Sequence, residues 1–320
     1  LTSYTTSRLI SIGTAVPDRI VTNSDLEEFV DTTDEWITTR TGIRQRHLFA
    51  HDRPHFAWEL GALAGRRAIE KAGIAPGEVG GIICATFTPD YFFPSTACKI
   101  QERLGCKGAF AFDISAACTG FIYGLTVADA MIRSGQTKNV LLVGAEVISR
   151  TLDWTDRTTC ILFGDAAGAA LLQGSNDKQT GILSTYISSD GSLGHILSLP
   201  AIGEKRFMKM NGSEVFKNAV RMMSDATLTA LSRASLSLSD IDLLVPHQAN
   251  IRIIKAIAEN LRLPYEKVVS NIDRYGNTSS ASIPLALEEA WDHGRVKPGT
   301  LVAFTALGGG LTVGSAVVRL

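Results

Sequence analysis

No stretch of this 320-residue chain stays apolar for the roughly 18 consecutive positions a membrane-spanning helix needs, so an integral helical membrane protein is excluded. Net charge is equally scarce. The 31 Lys and Arg against 32 Asp and Glu give −1, which excludes a general nucleic-acid binder and makes any basic patch local. The five cysteines, Cys84, Cys98, Cys106, Cys118 and Cys160, include no C-x-x-C pair and no Cys/His group at zinc spacing. Their odd number and scatter predict a reducing cytoplasm rather than a disulfide framework or a zinc site. No signal peptide is visible from Leu1 onward, and no Pro/Gly/Ser-rich linker or low-complexity tract interrupts the chain. What is present, 45% hydrophobic and 20% charged residues, describes an ordinary globular protein with a large core.

Within that ordinary composition, Cys118 has an unusual setting. Small residues flank it in Ser115-Ala116-Ala117-Cys118-Thr119-Gly120, directly ahead of an apolar run at 121–132. The run is too long for a strand and apolar on nearly every side, which predicts a buried helix. At the N-terminus of such a helix, unpaired N–H groups and the dipole favour a thiolate able to attack an acyl carbonyl. The competing reading is a small buried hydrophobe, a common fate of free cysteine.

The chain also repeats itself. Residues 110–136 read AF-D, small residues, then a helix; residues 269–296 read SNID, small residues, then a helix. Laying 125–128 on 284–287 gives an offset of 159 residues. VLLVGAE (140–146) then answers LVAFTAL (301–307), and GDAAGAALL (164–172) answers GLTVGSAVV (310–318). Alternation of short apolar runs with helices predicts parallel strands buried on both faces, in two halves at 1–177 and 178–320. The same offset sets Asn277 opposite Cys118. An upstream offset of 162 sets His247 opposite Ala85, at the strand edge where ligands gather.

The ordered set Ala116-Ala117-Cys118-Thr119-Gly120-Phe121, Pro246-His247-Gln248-Ala249-Asn250, Gly276-Asn277-Thr278-Ser279-Ser280 and Gly308-Gly309-Gly310 resembles the β-ketoacyl-[acyl carrier protein] synthase III family. Thr33-Asp34-Glu35-Trp36-Ile37 with Arg40-Thr41-Gly42-Ile43, and Phe163-Gly164-Asp165, extend the resemblance over essentially the whole chain. It implies an α/β, duplicated thiolase-like fold with five layers, α-β-α-β-α. It also implies the initiating condensation of type II fatty acid synthesis. An acyl-CoA primer, acetyl-CoA foremost, acylates Cys118; malonyl-[acyl carrier protein] then loses CO2 and attacks the thioester.

The resemblance implies roles residue by residue. Cys118 is the nucleophile, while His247 and Asn277 hold the enolate, each such donor being worth about 3–4 kcal/mol. The N–H groups of Cys118 and Gly309 form an oxyanion hole. Trp36, Arg40 and Arg157 grip the nucleotide of CoA, with Trp36 and Arg157 sandwiching its adenine, and Asn250 bonds the pantetheine arm. The acidic carrier docks on Gln248, Ala249, Asn250, Ile251, Arg252 and Lys255, with Lys217 nearby. Phe93 reaches the acyl pocket of a second copy, so a homodimer is implied. CoA thioester and carrier-bound phosphopantetheine are substrates; no cofactor, metal, nucleic acid or membrane enters the scheme. His47, His51, His55, His195 and His293 have no comparable context and read as structural or surface residues.

Three rivals stand beside this reading. A thiolase or hydroxymethylglutaryl-CoA synthase needs a second Cys or a Glu in its triad, against which Asn277 argues. A type III polyketide synthase has a similar triad and usually a longer chain. A catalytically silent acyl-CoA-binding scaffold has no need of all three residues.

Overall fold

The structure, a computed structural model, describes residues 3–50, 55–203 and 206–320; His51 lies outside them. In the first half the apolar runs become strands β1 (Thr6–Ala15), β2 (Gly81–Ala85), β3 (Phe110–Ile114), β4 (Asn139–Glu146) and β5 (Ala166–Ser175). In the second half they become β6 (Gly181–Ser189), β7 (Leu243–Pro246), β8 (Leu301–Gly308) and β9 (Thr312–Arg319). The principal helices are α1 (Asp34–Thr41), α2 (Ala57–Ala72), α3 (Thr96–Leu104), α4 (Gly120–Arg133), α5 (Gly212–Arg233), α6 (Ile251–Asn260) and α7 (Ser282–Asp292).

The two sheets share one strand order. Among the described residues the first runs β1-β5-β4-β2-β3 and the second β6-β9-β8-β7. An isolated parallel bridge between Leu244 and Val268 stands where a fifth strand would lie. Helices α2 and α3 cover the outer face of the first sheet, and α5 and α6 that of the second. The apolar α4 and α7 fill the middle, α4 packing against strands of both sheets. Five layers result, as the sequence implies. β4 is buried at every position, because helices press on both its faces.

Two expectations need correction. The sheets are mixed rather than parallel: β2 pairs in parallel with β3 and β4, and β7 with β8, whereas β4–β5, β1–β5, β8–β9 and β9–β6 are antiparallel. A parallel pairing needs a crossover segment, usually a helix. Only three residues separate β8 from β9, and no α-helix lies between β4 and β5.

The register of the repeat is also 162, not 159, at the decisive turns. α4 begins at Gly120 and α7 at Ser282, and a 3-10 turn precedes each, at Ala117–Thr119 and Ser279–Ala281. Ala117 and Ser279 both adopt positive φ, 46° and 51°, a conformation rare enough to mark equivalent positions. The counterpart of Cys118 is therefore Ser280, and Asn277 stands two residues ahead of that turn.

Candidate active site

One cavity of about 1220 Å3 runs into the molecule between the halves. Cys118, His247 and Asn277 all line it, from the turn before α4, the loop after β7 and the segment before α7. Each is nearly buried, at 8%, 2% and 6% exposure, so the reacting atoms sit at the floor and not on the surface.

The local fold aims each group. His247 follows the C-terminal end of β7, where its N–H bonds the carbonyl of Thr305 at 2.8 Å. Its Nδ1 lies 2.7 Å from Ser282 Oγ, which also accepts from the Gln248 N–H at 3.4 Å. When the Ser282 hydroxyl donates to Nδ1, the neutral imidazole carries its one proton on Nε2. Burial alone drives the His247 pKa down to about 3, so the ring is neutral at working pH. Asn277 is fixed by its backbone, which bonds Leu162 O at 2.8 Å and Gly164 N at 3.0 Å. Its Oδ1 accepts from the Ser279 N–H at 2.9 Å, which leaves the NH2 end to donate.

The thiol corrects an expectation. Burial pushes the Cys118 pKa up to about 12, so the resting group is a thiol, not a helix-stabilised thiolate. Ser279 acts the other way, drawing the value down, although its buried hydroxyl completes no hydrogen bond of normal geometry. Gly309 lines the same wall. The loop that carries it packs tightly: a Cβ on Gly308 would fall 2.8 Å from Ala116 O and 2.9 Å from Cys118 N. Thr312 Oγ1 ties this loop to the turn through Ala116 O and Thr119 Oγ1, both at 3.1 Å.

Residues 112–191 match the family described as 3-oxoacyl-[acyl-carrier-protein (ACP)] synthase III, and residues 231–320 match that family's C-terminal part. A β-ketoacyl-[acyl-carrier-protein] synthase III of Xanthomonas campestris pv. campestris is 49% identical, with 98% of each chain covered. The chain belongs to the β-ketoacyl-[acyl-carrier-protein] synthase III family. The crystal structure of the synthase III from Aquifex aeolicus superposes with a TM-score of 0.94 at 47% identity, covering 98% of this chain and all of that one. The priming β-ketosynthase of the R1128 polyketide pathway has the same TM-score at 35% identity, covering 100% of this chain and 98% of that one.

For this synthase III chain, the remaining sequence-predicted residues divide. Arg40, Ala249, Asn250, Arg252 and Lys217 line the cavity with the triad. Asn250 caps α6, its Oδ1 accepting from the Arg252 N–H at 2.8 Å, so only its NH2 end remains for a ligand. Arg252, Lys255 and Lys217 are exposed, and the Arg252 guanidinium lies 5.7 Å from the Phe216 ring. Gln248 leaves the docking set: it is 1% exposed, with Nε2 bonded to Pro246 O and Val269 O and Oε1 accepting from Asn271 N. Ile251 is half-buried, and its side chain packs against the end of α1, 2.6 Å from where a Cβ on Gly42 would lie. Gly42, at φ 78°, ends that helix without a clash.

Trp36 carries both arginines on its ring, Arg40 at 4.7 Å and Arg157 at 5.0 Å from the centroid. Arg157 also bonds Asp31 O at 2.6 Å. The Trp36–Arg157 slot is thus closed in the structure. Phe93 is 87% exposed beside Phe92 at 94%, away from this chain's own cavity. Sequence reasoning passed over Ser282, Ser279 and Phe87.

Proposed function

We propose that this chain carries out the condensation for which its family is named, with Cys118, His247 and Asn277 as the reacting set. The convergence of these three side chains on one cavity floor carries the reading. In the first half-reaction the Cys118 sulfur attacks the acyl-CoA carbonyl, and the thiol proton leaves with CoA as its free thiol. The N–H groups of Cys118 and Gly309 hold the tetrahedral oxyanion. In the second, malonyl-[acyl carrier protein] loses CO2, and the electron pair of the broken C–C bond forms an enolate. His247 Nε2–H and the Asn277 amide donate to its oxygen; both are neutral and stay so as pH varies. The enolate carbon attacks the acyl-cysteine, a 3-oxoacyl-carrier departs, and the released cysteine takes a proton from solvent.

The primer we assign is acetyl-CoA, with Trp36, Arg40 and Arg157 at its nucleotide and Asn250 at its pantetheine. Arg252 and Lys217, which line the cavity, and the exposed Lys255 three residues along α6 from Arg252 form the dock for the acidic carrier, with Ala249 on the path inward. Both carriers enter as substrates, so the scheme calls for no metal or organic cofactor. Residues 1–177 and 178–320 act as two halves of one body, each supplying one wall. A homodimer suits the first sheet: β3 is its edge strand, every residue only half-buried, beside the exposed Phe92 and Phe93. The cytoplasm suits the five free cysteines.

Mass spectrometry after incubation with acetyl-CoA tests the reading. One acetyl gained by the wild type and none by Cys118→Ala, with the fold unchanged by circular dichroism, is the expected result. Acetylation of the variant sinks the assignment of the nucleophile, and no gain with any acyl-CoA favours a silent scaffold. Competition among acyl-CoAs of graded length then tests the primer, since one methylene is worth about 1–3 kcal/mol.

A further inference from the structure

Glu146 ends β4 with no exposed surface, and no step above uses it. In the strand register of the repeat it stands opposite Gly308, as Ser280 stands opposite Cys118: Gly81 pairs with Val140 and Leu243 with Val302, each residue shifted by the same 162. The carboxyl group therefore occupies the mirror image of the place where the glycine loop meets the reactive turn.

Its partners are hydroxyls and one amide. Oε2 accepts from Thr88 Oγ1 at 2.6 Å, Thr86 Oγ1 at 3.2 Å and Phe87 N at 3.3 Å, the last N–H lying also 3.4 Å from Oε1. Thr88 Oγ1 in turn accepts from Val147 N at 3.0 Å, and Thr86 Oγ1 from Thr88 N at 3.1 Å. On the other side Oε1 lies 3.1 Å from Ser280 Oγ, which also lies 3.0 Å from the carbonyl oxygen of Ala85. Ser280 has one hydroxyl proton and faces two acceptors. With an ionised carboxylate, one of those contacts sets two lone pairs face to face in a buried site. With a proton on Oε1, Glu146 donates to Ser280, Ser280 donates to Ala85, and every contact is satisfied.

We propose that Glu146 is a positioning residue, held as a neutral carboxylic acid, that joins the 279–281 turn to the 86–88 loop. The turn carries Ser279, which orients the Asn277 amide, and the loop carries Phe87, which lines the cavity beside Cys118. Burial supports the neutral form, raising the carboxyl pKa to about 7 against the pull of Thr88, Ser280, Phe87 and Thr86. Among the described residues no Lys, Arg or His acts on it, and the titratable groups that feel its charge are the Cys118 and Cys84 thiols. An ionised Glu146 would oppose thiolate formation at Cys118, whereas the neutral acid does not.

The inference rests on the condensing reading for its activity arm alone; its infrared arm stands apart. The infrared spectrum of the wild type at pH 6 should contain a protonated-carboxyl band that is missing in Glu146→Gln. Glutamine mimics the acid, accepting on one side and donating on the other. Glu146→Gln should therefore keep kcat within about threefold, while Glu146→Ala loses tenfold or more. The wild type should also lose activity above pH 7 as the acid ionises, a decline that Glu146→Gln removes. No band at pH 6 overturns the proposal, and so does a Gln variant as impaired as the Ala variant. If the enzyme proves inactive with every acyl-CoA while the band is present, the functional reading falls and the buried acid stands.

Discussion

Two turns of the same shape sit at equivalent places in the two halves, and only one of them carries the proposed nucleophile. Ala117–Thr119 and Ser279–Ala281 are both 3-10 turns with a left-handed residue at the first position, and both feed a buried helix. Beside the first, β8 ends in Gly308, packed so closely on Ala116 O and Cys118 N that no Cβ fits, and the turn itself lines the cavity. Beside the second, β4 ends in Glu146, whose carboxyl group bonds Ser280, and that turn is closed off from the cavity. The backbone builds two equivalent turns, and the residue that ends the neighbouring strand differs between them.

The strongest challenge to this contrast removes the donors that only the open side faces. His247→Ala and Asn277→Ala should still accept the acyl group, yet malonyl decarboxylation should fall about 100- to 1,000-fold in each. Unchanged decarboxylation, followed as CO2 release, would show that the enolate is held elsewhere. Crowding the turn that carries Cys118 comes next. Gly308→Ala sets a Cβ against Ala116 O and Cys118 N, so it should cost about 1–3 kcal/mol of stability and slow acylation. Wild-type acylation rates and an unchanged melting temperature would remove the glycine from the argument.

Titration sharpens the same comparison. A neutral His247 predicts level malonyl decarboxylation from about pH 5 to pH 7, where an ordinary imidazole would bend the curve. Because burial raises the thiol pKa, alkylation of Cys118 should still be climbing at about pH 9. A plateau below about pH 8 would restore a resting thiolate. The smallest effect is expected farthest out. Reversing Arg252 and Lys255 to Glu should raise KM for the carrier-bound substrate, leave that for acyl-CoA nearly unchanged and weaken the salt dependence of binding. Equal changes in both would dismiss the dock.

The architecture was legible because the chain states it twice: the apolar runs, the helix lengths and the order of motifs all recur. The register was less so. Laying helix bodies on one another gives 159, since any two apolar helices match at several shifts, whereas the turns fix 162 through a positive φ that no residue type announces at Ala117 or Ser279. Strand direction was missed because an apolar run looks the same in a parallel or an antiparallel ladder; the three-residue gap at 309–311 held the clue. Gln248 was misjudged for a related reason. Beside His247 it reads as a polar surface residue, yet two backbone carbonyls and one amide satisfy its carboxamide inside the core. The thiol pKa was misjudged because a helix terminus is visible in a string and desolvation is not. Glu146 did leave a trace: a lone carboxylate closing the apolar run VLLVGAE is costly to bury unless something answers it.

The double stacking on Trp36 bears on turnover. In the structure Arg157 rests on the indole and is tethered by Asp31. In the proposed scheme adenine then arrives by exchange, trading one flat partner for another, and the returning guanidinium competes with spent coenzyme as it leaves. A lid of this kind would temper the grip on both substrate and product, which suits a scheme in which CoA is discarded before the second substrate comes in.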